Sequence, residues 1–212
     1  MKIGIFSNVY GNVSRLEELL KSFKHEEVDR IVSLGNLFSQ IDETNLLENP
    51  GISLDQNSLV CLEAIDAWAK STGIRTDYFK GKTEYDLLLR EVYLGRGRSK
   101  LYNQFVINFD ISEIADFGDL VYCLDSRFRE YTEKLDKNDI LKISDPLSKI
   151  SGLRVCIVDN NNKQEAYEVK GKNVSYIAEK EIIIEPDRLY IASPSSRDKG
   201  HIIFDGYSIR LK

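Results

Sequence analysis

The chain has 212 residues, 42% of them hydrophobic and 30% charged, with a formal net charge of −5 at pH 7. That balance belongs to a globular chain with a sizeable core rather than to a disordered tail or a broadly basic polyanion binder, and one domain over residues 1–212 is expected. Three cysteines (Cys61, Cys123, Cys156) at long spacings make neither a disulfide framework nor a paired metal knuckle, and no run approaches the ~20 apolar residues of a membrane span, so a reducing, cytoplasmic setting is expected.

Residues 2–6 (KIGIF) are a short apolar run ending at the polar turn Ser7-Asn8-Val9-Tyr10-Gly11-Asn12, the way a buried strand delivers a loop to the carboxyl edge of a sheet. Val13, Leu16, Leu19, Leu20 and Phe23 then recur at the spacing of one helical face, and Arg15, Glu17, Glu18 and Lys21 are assigned to the opposite one. Residues 28–34 (VDRIVSL) read as a second strand breaking at Gly35-Asn36, which completes a βαβ unit. Gly11 and Gly35 read as turn residues with unusual backbone angles. Residues 39–56 are polar, contain Pro50-Gly51 and read as a loop or irregular insertion before a helix over about 58–70 with Leu62, Ile65, Trp68 and Ala69. A third strand over 74–79 ends at Gly81-Lys82-Thr83-Glu84, and Leu87, Leu88 and Val92 predict another helix closing near Gly95. Three strands that each end in a polar turn place those turns outside the carboxyl edge of an α/β sheet, where ligands bind.

The second half is strand-rich from Gly118 onward: residues 120–124, 153–158, 166–169, 174–178, 182–184 and 189–192 are short runs with little helix between the later ones. Between them residues 126–149 are highly charged, and a short helix over 128–135 followed by a loop ending at Asp145-Pro146 is expected. Residues 201–209 read as a hairpin whose Asp205-Gly206 predicts a type I′ turn. The expected architecture is an α/β sandwich of two sheets with helices supplied mainly by the first half. Arg96, Arg98 and Lys100, with Tyr93, Tyr102 and Phe105 around them, have the composition of a phosphate or single-strand contact, against the simpler reading of a solvated loop.

The three turns in this strand and helix context resemble the metallophosphoesterase family, also called calcineurin-like phosphoesterases, over most of the chain. The family's opening strand, Asp-x-His-Gly-Asn turn, amphipathic helix and second strand ending in Gly-Asp find their frame in IFSNVYGNVSRLEELL and IVSLGNLF. Its third turn, Gly-Asn-His-Asp or Gly-Asn-Cys-Asp, corresponds to YFKGKTEYD, and its later His-bearing strand ends and Pro-Gly-Ser turn correspond to LVYCLD, CIVDNNN and ASPSS. The resemblance implies a calcineurin-like β-sandwich flanked by helices and a site for two divalent metals. At the ligand positions it implies, this sequence has Asn8 and Tyr10 for the first Asp and His, Asn36 for the bridging Asp, Lys82 for the third-turn Asn, and Tyr122, Asn160 and Asn162 for the later histidines. Thr83 takes the place of the His that serves the family as acid for the leaving group, and Glu84 keeps the acidic residue after it, whose family role is to orient that His.

Two dications within ~4 Å of each other are made tolerable by bridging carboxylates and imidazoles. A neutral Asn carbonyl is a weak substitute, and the Lys82 ammonium adds like-charge repulsion. The chain also holds two histidines, His25 in a charged helix end and His201 just beyond a turn, fewer than the family's chemistry uses. A degenerate member is therefore expected, without a metal or other cofactor and catalytically inactive. Its pocket of Asn8, Tyr10, Asn36, Lys82, Thr83, Tyr122, Asn160 and Asn162 would take a phosphorylated or nucleotide ligand, or the fold would serve as a scaffold for a protein partner. The bland alternative is that burial made polar replacements satisfy one another. Two others stay open: a phosphoesterase with an unorthodox or single-metal site in which Lys82 stabilises developing charge, and nucleic-acid contact through residues 96–100.

Overall fold

A computed structural model describes residues 1–39, 56–79, 81, 83–84, 114–116, 121–124, 136–159, 164–194 and 200–212. Strand β1 (Ile3–Phe6) is buried along its whole length, and its side chains divide between two cores: Ile3 and Ile5 enter one, Phe6 the other. Such a strand reads as a continuous apolar run because both faces are covered. Helix α1 (Val13–His25) follows, started by Asn12, whose side chain accepts the Arg15 N–H at 3.0 Å. Then come β2 (Arg30–Ser33), α2 (Gln56–Thr72) and β3 (Arg75–Tyr78). The later elements are β4 (Ile114–Asp116), β5 (Val121–Leu124), α3 (Lys137–Leu147), β6 (Val155–Val158), β7 (Glu165–Lys170), β8 (Asn173–Ile177), β9 (Glu181–Ile183), β10 (Leu189–Ser193), β11 (Ile202–Phe204) and β12 (Ser208–Leu211).

The strands form two six-stranded sheets, in the order β3-β2-β1-β11-β12-β9 and β4-β5-β6-β10-β7-β8. In the first, β1, β2 and β3 are parallel and the rest antiparallel; in the second, β5, β6 and β10 are parallel. Ile3, Ile5, Val32, Ile202, Phe204 and Ile209 of the first sheet meet Val155, Ile157, Ala166, Tyr190 and Ala192 of the second in the central core. The opposite face of the first sheet, with Phe6, Ile31 and Ile203, is covered by Leu16, Leu19, Leu20 and Phe23 of α1 and Leu62 and Ile65 of α2. The opposite face of the second, with Cys156, Val158, Val169 and Ile191, is covered by Ile140 and Leu147 of α3. The result is a helix, sheet, sheet, helix sandwich, as the apolar runs predict. Among the described residues no helix is long and apolar enough to cross a membrane. Cys61 and Cys156 are buried, and burial pushes the Cys156 thiol up.

Four expectations are corrected. Arg15, assigned to the solvent face of α1, is buried. It lies on the row Arg15, Leu19, Ser22, whose i, i+4, i+7 spacing borders the apolar stripe. Second, α3 runs through Asp145-Pro146 where a loop was expected. Asp136 and Asp139 close a capping box at its start, and Pro146 sits so near the end that its missing N–H ends the helix rather than breaking it. Third, the terminal hairpin forms, but of residues 205–208 only Gly206 has positive φ, so the turn is not type I′, which needs two. The Asp205 carboxylate instead accepts the N–H groups of Tyr207 (3.0 Å) and Ser208 (2.8 Å). Fourth, β4 precedes the point where strands were expected to begin. The helices expected over 128–135 and after Glu84, and the basic segment Arg96, Arg98, Lys100, lie outside the described residues.

Candidate functional site

The segments that follow β1, β2 and β3 of the first sheet and β6 of the second come together at one place, the candidate crevice. The loops after β1 and β2 are zipped together by backbone bonds, Asn8 N–H to the Gly35 carbonyl (3.0 Å), Tyr10 N–H to that of Asn36 (2.9 Å) and Gly11 N–H to that of Leu37 (2.8 Å). The tightness of this contact shows in the dihedral angles. Asn8, Tyr10 and Asn36 all have positive φ (59°, 52° and 55°), and so do Gly11 (72°) and Gly35 (107°), as expected for the two glycines. Asn visits this region at low cost, whereas for Tyr it is strained by about 1 kcal/mol.

The crevice floor is a hydrogen-bonded knot. Asn36 Nδ2 donates to Asn8 Oδ1 at 2.7 Å, and Asn8 Nδ2 donates to Ser7 Oγ at 2.8 Å and to Asp159 Oδ1 at 2.5 Å. Asn36 Nδ2 also faces Asp159 Oδ2 at 3.5 Å, and Asn36 Oδ1 accepts the Thr83 N–H at 3.2 Å. All of these residues are buried. Beneath them the Arg15 guanidinium donates through Nη1 to the Asn8 carbonyl (2.6 Å) and through Nη2 to the Ser7 carbonyl (3.3 Å). Burial lowers the Arg15 pKa, and electrostatic interaction with Tyr10 and Asp159 opposes the drop.

Glu84 locks the third loop onto the second. Its carboxylate accepts the N–H groups of Asn36 (2.8 Å), Leu37 (2.6 Å), Phe38 (3.1 Å) and Gly81 (2.7 Å) and the Thr83 hydroxyl (3.1 Å). Three successive N–H groups, 36 to 38, thus form an anion nest filled by the chain's own carboxylate. Burial raises the Glu84 pKa, while those backbone donors oppose the rise. Gly81 is required for the approach: a Cβ there would lie 2.3 Å from the Asn36 nitrogen. Glu84, given by the resemblance a His-orienting role, here orders two loops.

Of the residues proposed from sequence, Asn8, Asn36 and Thr83 come together by direct bonds, and Tyr10 is carried by the same zipped loops. Tyr122 lies on β5 in register with Cys156 of β6, so its backbone is in the right sheet. Lys82, Asn160 and Asn162 lie outside the described residues. Sequence reasoning missed Asp159 and Arg15. The signal for Asp159 was an acid directly after the fully buried run VCIV, a place where a carboxylate must have partners. The signal for Arg15 was the helical row it shares with Leu19 and Ser22.

A dimetal site asks for several oxygen or nitrogen donors free to face cations. Here the Asp159 oxygens face the amides of Asn8 and Asn36, Asn8 Oδ1 faces Asn36 Nδ2, Asn36 Oδ1 faces the Thr83 N–H, and Glu84 faces the loop N–H groups. His25 is exposed at the end of α1, and His201 is packed edge-on against Phe23 with Nε2 3.0 Å from Ser22 Oγ. Among the described residues no three His, Cys, Asp or Glu side chains gather to hold a metal. The described donor set does not fit two divalent cations.

No protein-family model matches the sequence, and no curated protein matches it. Solved structures do match the fold. A metallophosphoesterase from Sphaerobacter thermophilus superposes with a TM-score of 0.61 at 16% identity, covering 100% of this chain and 86% of that one. A dimetal phosphatase from Danio rerio gives 0.52 at 10% identity, covering 100% and 95%. A structure described as a novel archaeal phosphodiesterase gives 0.51 at 11% identity, covering 100% and 99%. The chain has a metallophosphoesterase-like fold, as the turn motifs implied.

Proposed function

We propose that this chain uses the metallophosphoesterase-like fold for binding, as a scaffold or a sensor of a phosphorylated ligand, and does not carry out two-metal hydrolysis. One observation carries the reading: the inward oxygens of Asn8, Asn36 and Asp159 face protein N–H groups rather than open space. A hydrolytic site of this family's kind needs those oxygens on cations, which activate the water and neutralise the phosphoryl oxygens. In this reading Asn8, Asn36 and Thr83 are the floor of the ligand crevice, and Tyr10, Lys82, Tyr122, Asn160 and Asn162 complete it. Lys82 would supply the charge that meets a phosphate.

The test joins metal content to turnover. Protein purified without chelator and dialysed against manganese and zinc is expected to retain no stoichiometric metal and to leave bis(p-nitrophenyl) phosphate intact. Stoichiometric metal with turnover overturns the reading. A phosphoesterase with a single-metal or unorthodox site is the second reading, favoured by the buried Asp159 carboxylate beside Asn8 and Asn36. It requires metal-stimulated turnover that Lys82→Ala abolishes.

A further inference from the structure

We propose that strand β8 is a self-pairing edge, through which two copies of this chain join their second sheets, antiparallel about a two-fold axis at Ser175. The inference goes beyond the reading of the crevice and is independent of what the crevice binds. It starts from the strands that end the two sheets, β3 and β9 in the first and β4 and β8 in the second. An edge strand carries unpaired N–H and C=O groups, and chains guard such edges with shortness, charge or proline. β4 and β9 have three residues each, with Asp116 in the one, and Glu181 in the other and Pro186 just past it. β3 (RTDY) carries Arg75 and Asp77, and Asp77 is ion-paired to both Arg30 and Arg75. β8 (NVSYI) has five residues, no charge and no proline, and pairs with β7 in an unbroken register. Among the described strands it is the unguarded edge, and Asn173, Ser175 and Tyr176 on it are exposed.

Backbone and side chains both fit a second copy. The β7–β8 hairpin closes on Lys170 opposite Asn173 around Gly171 and Lys172, with Gly171 at φ 60°. A two-residue turn bonds its flanking pair, and bonded and unbonded pairs then alternate along the ladder. Asn173, Ser175 and Ile177 therefore direct their backbone groups to β7, and Val174 and Tyr176 direct theirs outward. A two-fold axis through an antiparallel pair sets one residue opposite its own copy, and only Ser175 in that place pairs the whole strand with itself. Val174 then lies opposite Tyr176 of the second copy, and the reverse, each pair exchanging both backbone hydrogen bonds. On the α3 side of the sheet Val174 packs on the core beneath the helix, and Tyr176, 62% exposed, meets Tyr167 edge-on at 5.6 Å. Val174 of the second copy covers that exposed ring. No like charges come opposite each other, since Lys172 meets Ala178 beside Glu179. Centring on Tyr176 would oppose Lys172 to Lys180. β9 has no such register: centred on Ile182 it opposes Glu179 to Glu185, and centred on Ile183 it opposes Glu181 to Glu185.

Sedimentation of the full chain over a range of concentrations, joined to cysteine crosslinking at the axis, tests the proposal. Wild type is expected to pass from monomer towards dimer as its concentration rises to about 0.5 mM, one strand being a small interface. Tyr176→Lys is expected to weaken association at least about tenfold and to move Tm by less than about 5 °C, because the side chain it replaces is exposed. Under mild oxidation Ser175→Cys is expected to crosslink into a dimer, since the unbonded central pair brings its two Cα atoms to about 4.5 Å. Asn173→Cys, whose two copies lie about 14 Å apart in this register, is expected to stay uncrosslinked, as is wild type. A wild type that is monomeric at every concentration overturns the proposal and leaves the edge to a chain of another kind. A dimer that Tyr176→Lys leaves intact, or Asn173→Cys crosslinking as readily as Ser175→Cys, overturns it as well. Should Tyr176→Lys not fold, the two cysteine variants alone decide.

Discussion

Helix α1 holds charge in opposite ways at its two ends. At its amino end Arg15 is buried against the Ser7 and Asn8 carbonyls, the Asn8 side chain holds the buried Asp159 carboxylate, and the same floor continues through Asn36 to Glu84 in its nest of N–H groups. At its carboxyl end Glu26 meets Arg210 and Lys212, each at 3.0 Å, where Lys212 is 42% exposed. The first set is out of reach of solvent and salt, so each partner is indispensable to the other. The second is partly screened, and its loss is absorbed by water. One helix thus joins a buried, hydrogen-bonded crevice to an ordinary surface clamp.

Removing Glu84 is expected to break this contrast most. Glu84→Ala leaves the N–H groups of residues 36, 37, 38 and 81 without their acceptor. A loss of about 3 kcal/mol or more is expected in chemical denaturation, partly restored by formate against a chloride control as the small anion enters the emptied nest. A merely structural role at the surface would give a small loss and no formate effect.

His201 sharpens the comparison, because it is buried against Ser22 and Phe23 near the carboxyl end of α1. Burial lowers its pKa to about 4, with Glu26 raising it and Lys212 and Arg15 lowering it. The folded chain refuses a proton that the unfolded chain accepts. This contribution is therefore fully present above the unfolded value near 6.5 and is lost as pH falls towards 4. His201→Gln is expected to lose less stability than wild type between pH 7 and 4.5, by about 2–3 kcal/mol. Parallel pH profiles for the two proteins would contradict the buried, neutral assignment.

The smallest effect belongs to the surface clamp. The Lys212 hydrogen bond, with the charges of Arg210 and Lys212, lowers the Glu26 pKa against some desolvation. Its contribution is present above the unfolded carboxylate value and lost as pH falls through the lower folded one. Glu26→Gln is expected to cost less than about 1 kcal/mol at neutral pH and to narrow towards zero in high salt. A loss as large as that of Glu84→Ala, or one indifferent to salt, would erase the distinction between the two ends.

The layers were legible because burial on both faces leaves continuous apolar runs such as IGIF and VCIV, and because the α1 stripe keeps helical spacing. The turn frame around Gly11 and Gly35 was legible because both glycines hold positive φ where two loops meet. What failed did so for local reasons. Pro146 looked like a loop residue because its position within the last turn depends on a cap ten residues earlier, Asp136. Ser144 on the buried face of α3 hid the apolar stripe. Arg15 was misread because a charged residue on the border of a buried face is taken as solvated, and Asp159 was passed over because its partner Asn8 is far off in sequence. Glu84 was legible as a residue of the site but not in its role, which depends on the N–H groups of a loop 46–48 residues away.

The most direct measurement of the central claim is metal content by elemental analysis after dialysis against manganese and zinc. The account predicts a protein without stoichiometric metal, the oxygens of Asn8, Asn36 and Asp159 being held by protein N–H groups. Near-stoichiometric manganese or zinc, lost on Asp159→Asn, would contradict it and return the crevice to metal chemistry.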